Sequence, residues 1–259
     1  MSLPRRVVLL GASNLTRGLA TVLELARRQW GGPLDVLAAC GLGRSYGLRM
    51  PFFCRELPGI VECGLWNALA QRPPAPTVAL LSDIGNDLLY DVPVPQIVTW
   101  VEACLDRLFR TGTRVVLTPL PLCSVTGISR ARFLLLRSLL FPGCRLPYAV
   151  LMERTRDLDQ RLRSLALTRG AVLVEHRQEW YGFDAIHIRR PHRGAAWAEM
   201  LAPFVGQAEQ PDEGRPQATQ PDLRRLAFLA PDRQWIFGRE RRRLQPCRRL
   251  ADGTTLSLY

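Results

Sequence analysis

Five short apolar runs alternate with helical patterns along most of the chain, and this alternation constrains the fold more than any other feature. The runs are Val7–Leu10, Leu34–Ala38, Val78–Leu81, Val115–Leu117 and Ala171–Val174. Apolar runs of this length are typical of strands that are covered on both faces in a parallel sheet. Between them, apolar residues recur at the spacing of amphipathic helices. The sequence therefore predicts an α/β domain with a central parallel sheet of five strands.

Changes in composition divide the rest of the chain. Residues 207–222 lack aliphatic side chains larger than alanine and include three prolines, which predicts a disordered linker. Residues 223–259 carry nine arginines against three acidic residues, and Asp252-Gly253 between strand-like segments predicts a β-hairpin. We expect a main domain over residues 1–206 and an arginine-rich extension that covers a sheet edge or contacts a second subunit.

The basic residues restrict the possible chemistry, because all 35 of them are arginine. Without lysine, the chain cannot form a P-loop lysine contact, a Schiff base or a Ser-Lys dyad. The net charge of +12 allows an anionic partner. Arginine clusters are more often solvated faces, however, so the sequence does not favour nucleic acid as a partner.

The cysteines and histidines predict a protein without a metal site. None of the seven cysteines lies in a C-x-x-C pair, and three histidines are too few for zinc clusters of the usual spacing. An odd number of cysteines among apolar neighbours is typical of free thiols in a reducing compartment. We therefore expect a cytoplasmic protein, and no apolar stretch is long enough to span a bilayer.

Polar or glycine-rich turns follow the first three predicted strands directly. Ser13 begins a helical pattern after the first strand, Gly43 lies in a glycine-rich turn after the second, and Asn86 follows the third. The carboxyl ends of parallel strands meet at one edge of a sheet, so we expect these residues to lie close together. A serine there can be a nucleophile, and the Gly43 backbone amide and the Asn86 side-chain amide can donate to an oxyanion. Serine also caps helices and asparagine also closes turns, so each residue alone has a structural alternative.

A fourth motif precedes the last predicted helix, where Asp184 lies three residues before His187. A carboxylate at this spacing can accept a hydrogen bond from Nδ1–H of the histidine and leave Nε2 free to take a proton. His176 and His192 are the other candidates for a base.

Together and in this order, the four motifs resemble the signature of the SGNH (GDSL-like) hydrolases. That signature is G-x-S after the first strand, a glycine after the second, G-x-N-D after the third, and D-x-x-H near the end of the domain. The resemblance covers about residues 5–205. It implies a flavodoxin-like three-layer α/β/α SGNH fold, to which this chain adds a small C-terminal β-hairpin extension.

The resemblance also implies a role for each matching residue. Ser13 is the nucleophile, His187 is the general base, and Asp184 orients His187. The oxyanion hole consists of the Ser13 and Gly43 N–H groups and the Asn86 side chain. No metal or organic cofactor is required.

Three positions complicate the match. Ala12 stands where related sequences have aspartate, and Ile84 stands where the third motif has its first glycine. Gly41 is an alternative to Gly43 as the backbone donor.

The apolar segment Ile128–Leu146 is studded with arginines and too short to span a membrane. One interpretation is a core helix with solvated arginines. The other is a cap over the active site, with Phe133 and Leu136 in the wall of an acyl pocket.

The function expected from these features is a serine esterase or acylhydrolase that cleaves a carboxylic ester of a small molecule, lipid or acetylated carbohydrate through an acyl-enzyme. Alternatives are acyl transfer by the same residues and a catalytically silent SGNH-like binding protein. A nucleotide site at Gly11–Gly18 lacks both the G-x-G-x-x-G spacing and a Walker lysine.

Overall fold

Strands and helices alternate along the chain as the hydrophobic pattern predicts. The structure, a computed structural model, describes residues 5–207, 226 and 229–259. The strands are β1 (Arg5–Leu10), β2 (Leu34–Ala39), β3 (Met50–Phe52), β4 (Arg55–Leu57), β5 (Thr77–Leu81), β6 (Arg114–Leu117), β7 (Val172–Leu173), β8 (Arg233–Ile236), β9 (Arg239–Arg242), β10 (Arg248–Arg249) and β11 (Thr255–Leu258). The helices are α1 (Ser13–Trp30), α2 (Leu65–Ala70), α3 (Asn86–Leu89), α4 (Val94–Phe109), α5 (Leu122–Val125), α6 (Arg130–Leu140), α7 (Tyr148–Arg169) and α8 (Arg193–Leu201).

The central sheet contains all five predicted strands. Its order across the described residues is β10-β11-β2-β1-β5-β6-β7. Strands β2, β1, β5, β6 and β7 correspond to the five apolar runs and pair in parallel, which confirms the predicted core of the fold. Strand β11 pairs in parallel with β2, and β10 pairs antiparallel with β11. The C-terminal hairpin therefore extends the sheet from five strands to seven.

Helices cover both faces of this sheet and produce three layers. Along β1, the side chains of Val7 and Leu9 pack on one face, with apolar residues of α1 and α8. Val8 and Leu10 pack on the other face, with residues of α2, α4 and α7. This alternation follows from the period of two in a strand, and burial on both sides explains why the runs are continuously apolar.

The C-terminal hairpin is an integral part of the main domain. Leu256 and Ser257 are fully buried, and the Tyr259 amide donates to the Ala38 carbonyl over 2.9 Å. At the turn, Gly253 has a φ of +85°, which glycine adopts without steric cost. The hairpin covers the edge of the sheet at β2, which is one of the two roles expected for the extension. A contact with a second subunit stays a prediction. All but the first residue of the expected linker over residues 207–222 lies outside the described residues.

A second, four-stranded antiparallel sheet was not predicted. Its order is β3-β4-β8-β9, so it joins the segment after β2 to the C-terminal extension. The strands are only three or four residues long, and all four residues of β9 are exposed. Short strands without apolar alternation give no recognisable sequence pattern. Pairing between distant segments decides their structure.

All seven cysteines are free thiols. Within the described parts of the chain, no helix combines the length and the apolar character needed to cross a bilayer. The cytoplasmic location stays a prediction.

Candidate active site

Ser13 lies at the carboxyl end of β1, where it is the first residue of α1. The preceding turn is tight, because a Cβ on Gly11 would lie 2.5 Å from the Ser82 hydroxyl oxygen. The first amides of a helix have no acceptor within the helix, and none is found for Ser13 N–H among the described residues. Ser13 therefore presents a hydroxyl group and a free amide at the same edge of the sheet.

The structure brings His187 and Asp184 to Ser13, although 174 positions separate Ser13 from His187. The distance between Ser13 Oγ and His187 Nε2 is 2.8 Å. On the other side of the ring, Nδ1–H of His187 donates to Oδ2 of Asp184. A carboxylate can only accept, so this contact puts the ring proton on Nδ1 and leaves Nε2 to accept from the serine hydroxyl.

The Asp184 carboxylate is stabilised in its charged form. Burial by itself would raise its pKa. Hydrogen bonds from the His187 ring and from backbone amides outweigh that effect and hold the pKa of Asp184 below its ordinary value. The carboxylate therefore stays ionised and keeps the imidazole in one tautomer at neutral pH.

The two other predicted oxyanion donors lie in adjoining turns. Asn86 begins α3 and donates from Nδ2 to the Arg44 carbonyl over 3.2 Å. Gly43 has a φ of +63°, and its carbonyl accepts from the Tyr90 hydroxyl. Its amide has no acceptor among the described residues. Asn86 lines the same cavity as Ser13, whereas Gly43 is not part of that wall. The oxyanion roles of Asn86 and of Gly43 or Gly41 stay predictions.

Asp87 connects the turn after β2 to the turn after β5. Its carboxylate is fully buried and accepts from the Ser45 hydroxyl and, over 2.9 Å, from the Tyr46 amide. Burial is the larger influence and raises the pKa of Asp87 to about 6, although both hydrogen bonds lower it. This buried contact holds the turn after β2 and the turn after β5 against each other.

No protein-family model and no curated protein matches the chain. An inhibitor-bound aryl esterase of M. smegmatis matches with a TM-score of 0.53 and 14% identity, over 78% of this chain and 99% of that one. Est24, a carbohydrate acetylesterase from Sinorhizobium meliloti, matches with a TM-score of 0.52 and 16% identity, over 78% and 99%.

The chain has the SGNH-hydrolase fold. The resemblance seen in the four motifs is thereby confirmed for the fold. At 14–16% identity, these structural matches show a shared fold.

Asn14 is a residue of this candidate site that the sequence motifs did not single out. Its side-chain oxygen accepts from the Ile188 amide, and its Nδ2 donates to the Ile186 carbonyl, both over 2.8 Å. These two isoleucines flank His187. The residue after Ser13 therefore fixes the backbone on both sides of His187 and sets the distance between the two.

Asp83 supplies a carboxylate close to Ala12, the position where the first motif of the SGNH signature has aspartate. Its Oδ2 accepts from the amides of Ala12 over 2.9 Å and Leu15 over 3.1 Å, and its Oδ1 accepts from Asn14 over 2.8 Å. A negative charge at the start of α1 is favourable for the helix dipole. Two sequence features together could have indicated this contact. The first motif lacks an acidic residue at Ala12, and the third motif contains Asp83.

An apolar cavity of about 130 Å³ opens beside Ser13. Asn14, Asp83 and Asn86 line its polar end, and most of the remaining wall is apolar. Phe133 and other side chains of α6 contribute to that wall. The segment 128–146 thus lies against the candidate site, as its interpretation as a cap requires.

His176 also lines this cavity, but its ring is engaged elsewhere. Its Nε2–H donates to the Pro119 carbonyl over 2.9 Å, and the Tyr181 hydroxyl donates to its Nδ1 over 2.7 Å. Burial lowers the pKa of His176, mainly through desolvation. A neutral ring with both nitrogens occupied makes His176 a wall residue rather than the base for Ser13. Among the described residues, no group of three or more His, Cys, Asp or Glu side chains could hold a metal ion.

Proposed function

We propose that this chain is a serine esterase that hydrolyses carboxylic esters through an acyl-enzyme, with Ser13 as nucleophile, His187 as general base and Asp184 as the residue that orients it. The observation that supports this most directly is the 2.8 Å contact between Ser13 Oγ and His187 Nε2, with Asp184 on the opposite ring nitrogen. The matched structures are esterases or acetylesterases by name, which agrees with ester cleavage on this fold.

In the first half of the proposed reaction, Ser13 Oγ attacks the ester carbonyl carbon while His187 Nε2 takes the hydroxyl proton. General-base catalysis of this kind contributes roughly 10²–10⁴ in rate. The ion pair between the resulting imidazolium and Asp184 stabilises the charge that forms. His187 then gives its proton to the alcohol oxygen, the carbon–oxygen bond breaks, and the alcohol leaves.

The developing oxyanion needs donors that are already in place. The Ser13 amide at the start of α1 and the Gly43 amide in its turn have no acceptor among the residues that the structure describes. One hydrogen of Asn86 Nδ2 donates to the Arg44 carbonyl, which leaves the other for an oxyanion. Each such donor contributes roughly 10²–10³ in kcat.

In the second half, water replaces the alcohol. His187 takes a proton from the water while the water oxygen attacks the acyl carbonyl carbon. His187 then returns the proton to Ser13 Oγ, the bond between Ser13 Oγ and the acyl carbon breaks, and the carboxylic acid leaves. An acceptor alcohol in place of water would give acyl transfer with the same residues. Product analysis with and without added alcohols separates these two outcomes.

The test is a p-nitrophenyl butyrate assay on the wild type and on three variants. We expect Ser13→Ala and His187→Ala to lose activity almost completely, and Asp184→Asn to lose roughly 10²–10⁴-fold, because asparagine no longer fixes the tautomer. Ser164→Ala on the exposed face of α7 and His192→Ala are matched controls that keep wild-type rates. Activity in Ser13→Ala equal to that of the wild type would contradict the proposal.

Labelling supplies a second measurement. A fluorophosphonate probe should attach covalently to Ser13 in the wild type, as peptide mass spectrometry can locate, and should not label Ser13→Ala. An unlabelled but folded wild type would instead support the silent binding protein.

A further inference from the structure

The chemical character of the cavity beside Ser13 narrows the substrate class. Its polar end consists of Ser13, Asn14, Asp83 and Asn86, which belong to the candidate active site. Away from that end, the wall is built by apolar residues of α3, α5, α6 and α7 and of the loops between them. Examples are Leu88, Val125, Phe133, Leu136, Leu140 and Met152.

The few polar side chains in the apolar part of the wall already have partners within the protein. The Thr155 hydroxyl donates to the Leu151 carbonyl over 2.6 Å, and Arg137 donates from Nη1 to the Leu146 carbonyl over 3.0 Å. His176 is bonded at both nitrogens. The Arg137 guanidinium also packs over the Phe133 ring, 5.8 Å from its centroid. Elsewhere in this part, a sugar hydroxyl or a charged group would lose its water without gaining a side-chain partner, which is costly. The cavity therefore selects an apolar group.

The size of the cavity sets a limit on that group. Its volume of about 130 Å³ is close to that of a 150 Å³ apolar cavity that takes up benzene. A group of roughly six carbon atoms fills such a space. An acetyl group would leave most of it empty, and a chain of sixteen carbons would extend beyond it.

The order of the proposed reaction indicates which half of the ester lies there. The alcohol must leave before water can attack, whereas the acyl group stays attached to Ser13 through both steps. A cavity with walls from several helices is suited to the part that stays.

We infer that this cavity binds the acyl chain, so that the enzyme prefers esters of medium-length apolar acids, with about four to eight carbons, over acetyl esters. Leu136 and Phe133 of α6 determine the chain length that fits. This inference rests on the proposed function, because it assigns the acyl group that Ser13 carries.

The test is kcat/KM for p-nitrophenyl esters from acetate to palmitate. Each buried CH₂ contributes about fourfold in binding, and hexanoate has four more than acetate, so we expect a rise of up to roughly 250-fold from acetate to hexanoate and a decline beyond octanoate. Highest activity on acetate, with steadily falling values for longer chains, would overturn the inference.

Two substitutions on one helix provide the matched comparison. Leu136→Trp fills the cavity and should lower kcat/KM for hexanoate by at least about tenfold, with the value for acetate within about threefold of wild type. Leu139→Trp adds the same side chain at a position that is 75% exposed, and should leave the whole profile unchanged. Equal effects of Leu136→Trp on all esters would count against an acyl pocket. Should Leu136→Trp not fold, Leu140→Ala enlarges the cavity and should move the optimum to longer chains.

A binding measurement separates this inference from the proposed function. In Ser13→Ala, millimolar hexanoate should raise Tm, whereas acetate should not, and Leu136→Trp added to this background should abolish the shift. If no ester is hydrolysed but hexanoate still raises Tm, the cavity assignment stands and the esterase proposal fails. If esters are hydrolysed without a chain-length preference and hexanoate does not bind, only the cavity assignment fails.

Discussion

The side-chain amide of Asn14 donates a hydrogen bond to the Asp83 carboxylate over 2.8 Å, which connects the start of α1 to the turn after β5. The same Nδ2 also donates to the Ile186 carbonyl, and the side-chain oxygen of Asn14 accepts from the Ile188 amide, so that Asn14 holds the backbone on both sides of His187. A residue that is adjacent to the proposed nucleophile in sequence thus also positions the proposed base.

Asn14→Ala should reduce catalysis without a matching loss of substrate binding. Without the two contacts to its flanking residues, His187 is no longer fixed relative to Ser13, and a displacement of about 1 Å can cost about 10² in rate. We expect kcat to fall roughly 100-fold, while KM stays within about threefold. Steady-state kinetics on a chromogenic ester measure both values. The exposed Arg17→Ala on the same helix is the control, and a kcat for Asn14→Ala that matches this control would refute the positioning role.

Asp83→Asn should destabilise the fold. Asparagine tolerates the φ of +59° at this position. Both carboxylate oxygens of Asp83 accept hydrogen bonds, however, and the –NH₂ group of asparagine would replace one of these acceptors with a donor. We expect a loss of about 1–3 kcal/mol in the free energy of unfolding, measured by urea denaturation. Asp91 is a matched control, because its φ is +60° and it forms an exposed ion pair with Arg154. Asp91→Asn should cost less than about 1 kcal/mol, and equal losses for both variants would contradict a special role for Asp83.

The buried Asp87 should make stability fall as pH rises. Its pKa is about 6 in the folded protein against an ordinary value of 3.8, so the folded state binds this proton more tightly than the unfolded chain does. The resulting stabilisation is complete below pH 3.8 and is lost as pH rises through about 6. The unfolding free energy of Asp87→Asn minus that of the wild type should therefore increase by about 3 kcal/mol when the pH is raised from 3.5 to 7.5. Denaturation at a series of pH values tests this, and a constant difference across the range would be inconsistent with it.

The C-terminal strand should contribute to the stability of the whole domain. Leu256 in β11 is fully buried against the neighbouring strands, whereas Leu244 in the same extension is 95% exposed. We expect Leu256→Ala to lower the free energy of unfolding by about 2–5 kcal/mol and Leu244→Ala to change it by less than about 0.5 kcal/mol. Both variants should unfold in one transition. A separate transition for the extension, with the main domain unaffected, would argue that the extension is an independent unit.

The sequence was most informative where physical requirements act locally. A strand covered on both faces must be apolar along its length, so β1 and β5 are visible as runs of Val, Leu and Ala. The polar groups that follow such runs must emerge at one edge of a parallel sheet. The sequence alone therefore predicts that Ser13 and Asn86 lie close together. The weak strand pattern of β8 and β9 gave no such indication, because their pairing depends on segments far away in the chain.

The sequence by itself determined the five buried strands, their order along the chain and the residue types at their ends, because hydrophobic periodicity and turn chemistry depend on near neighbours. Only the tertiary structure decided that β11 pairs beside β2, that Asp83 binds the start of α1, and that α6 lines the cavity beside Ser13. These features depend on contacts between residues that are far apart in the sequence. Leu15 and Asp83, for example, are 68 positions apart, and Leu34 and Thr254 are 220 positions apart. Whether such distant groups meet depends on how the helices and strands pack in three dimensions, which no local pattern contains.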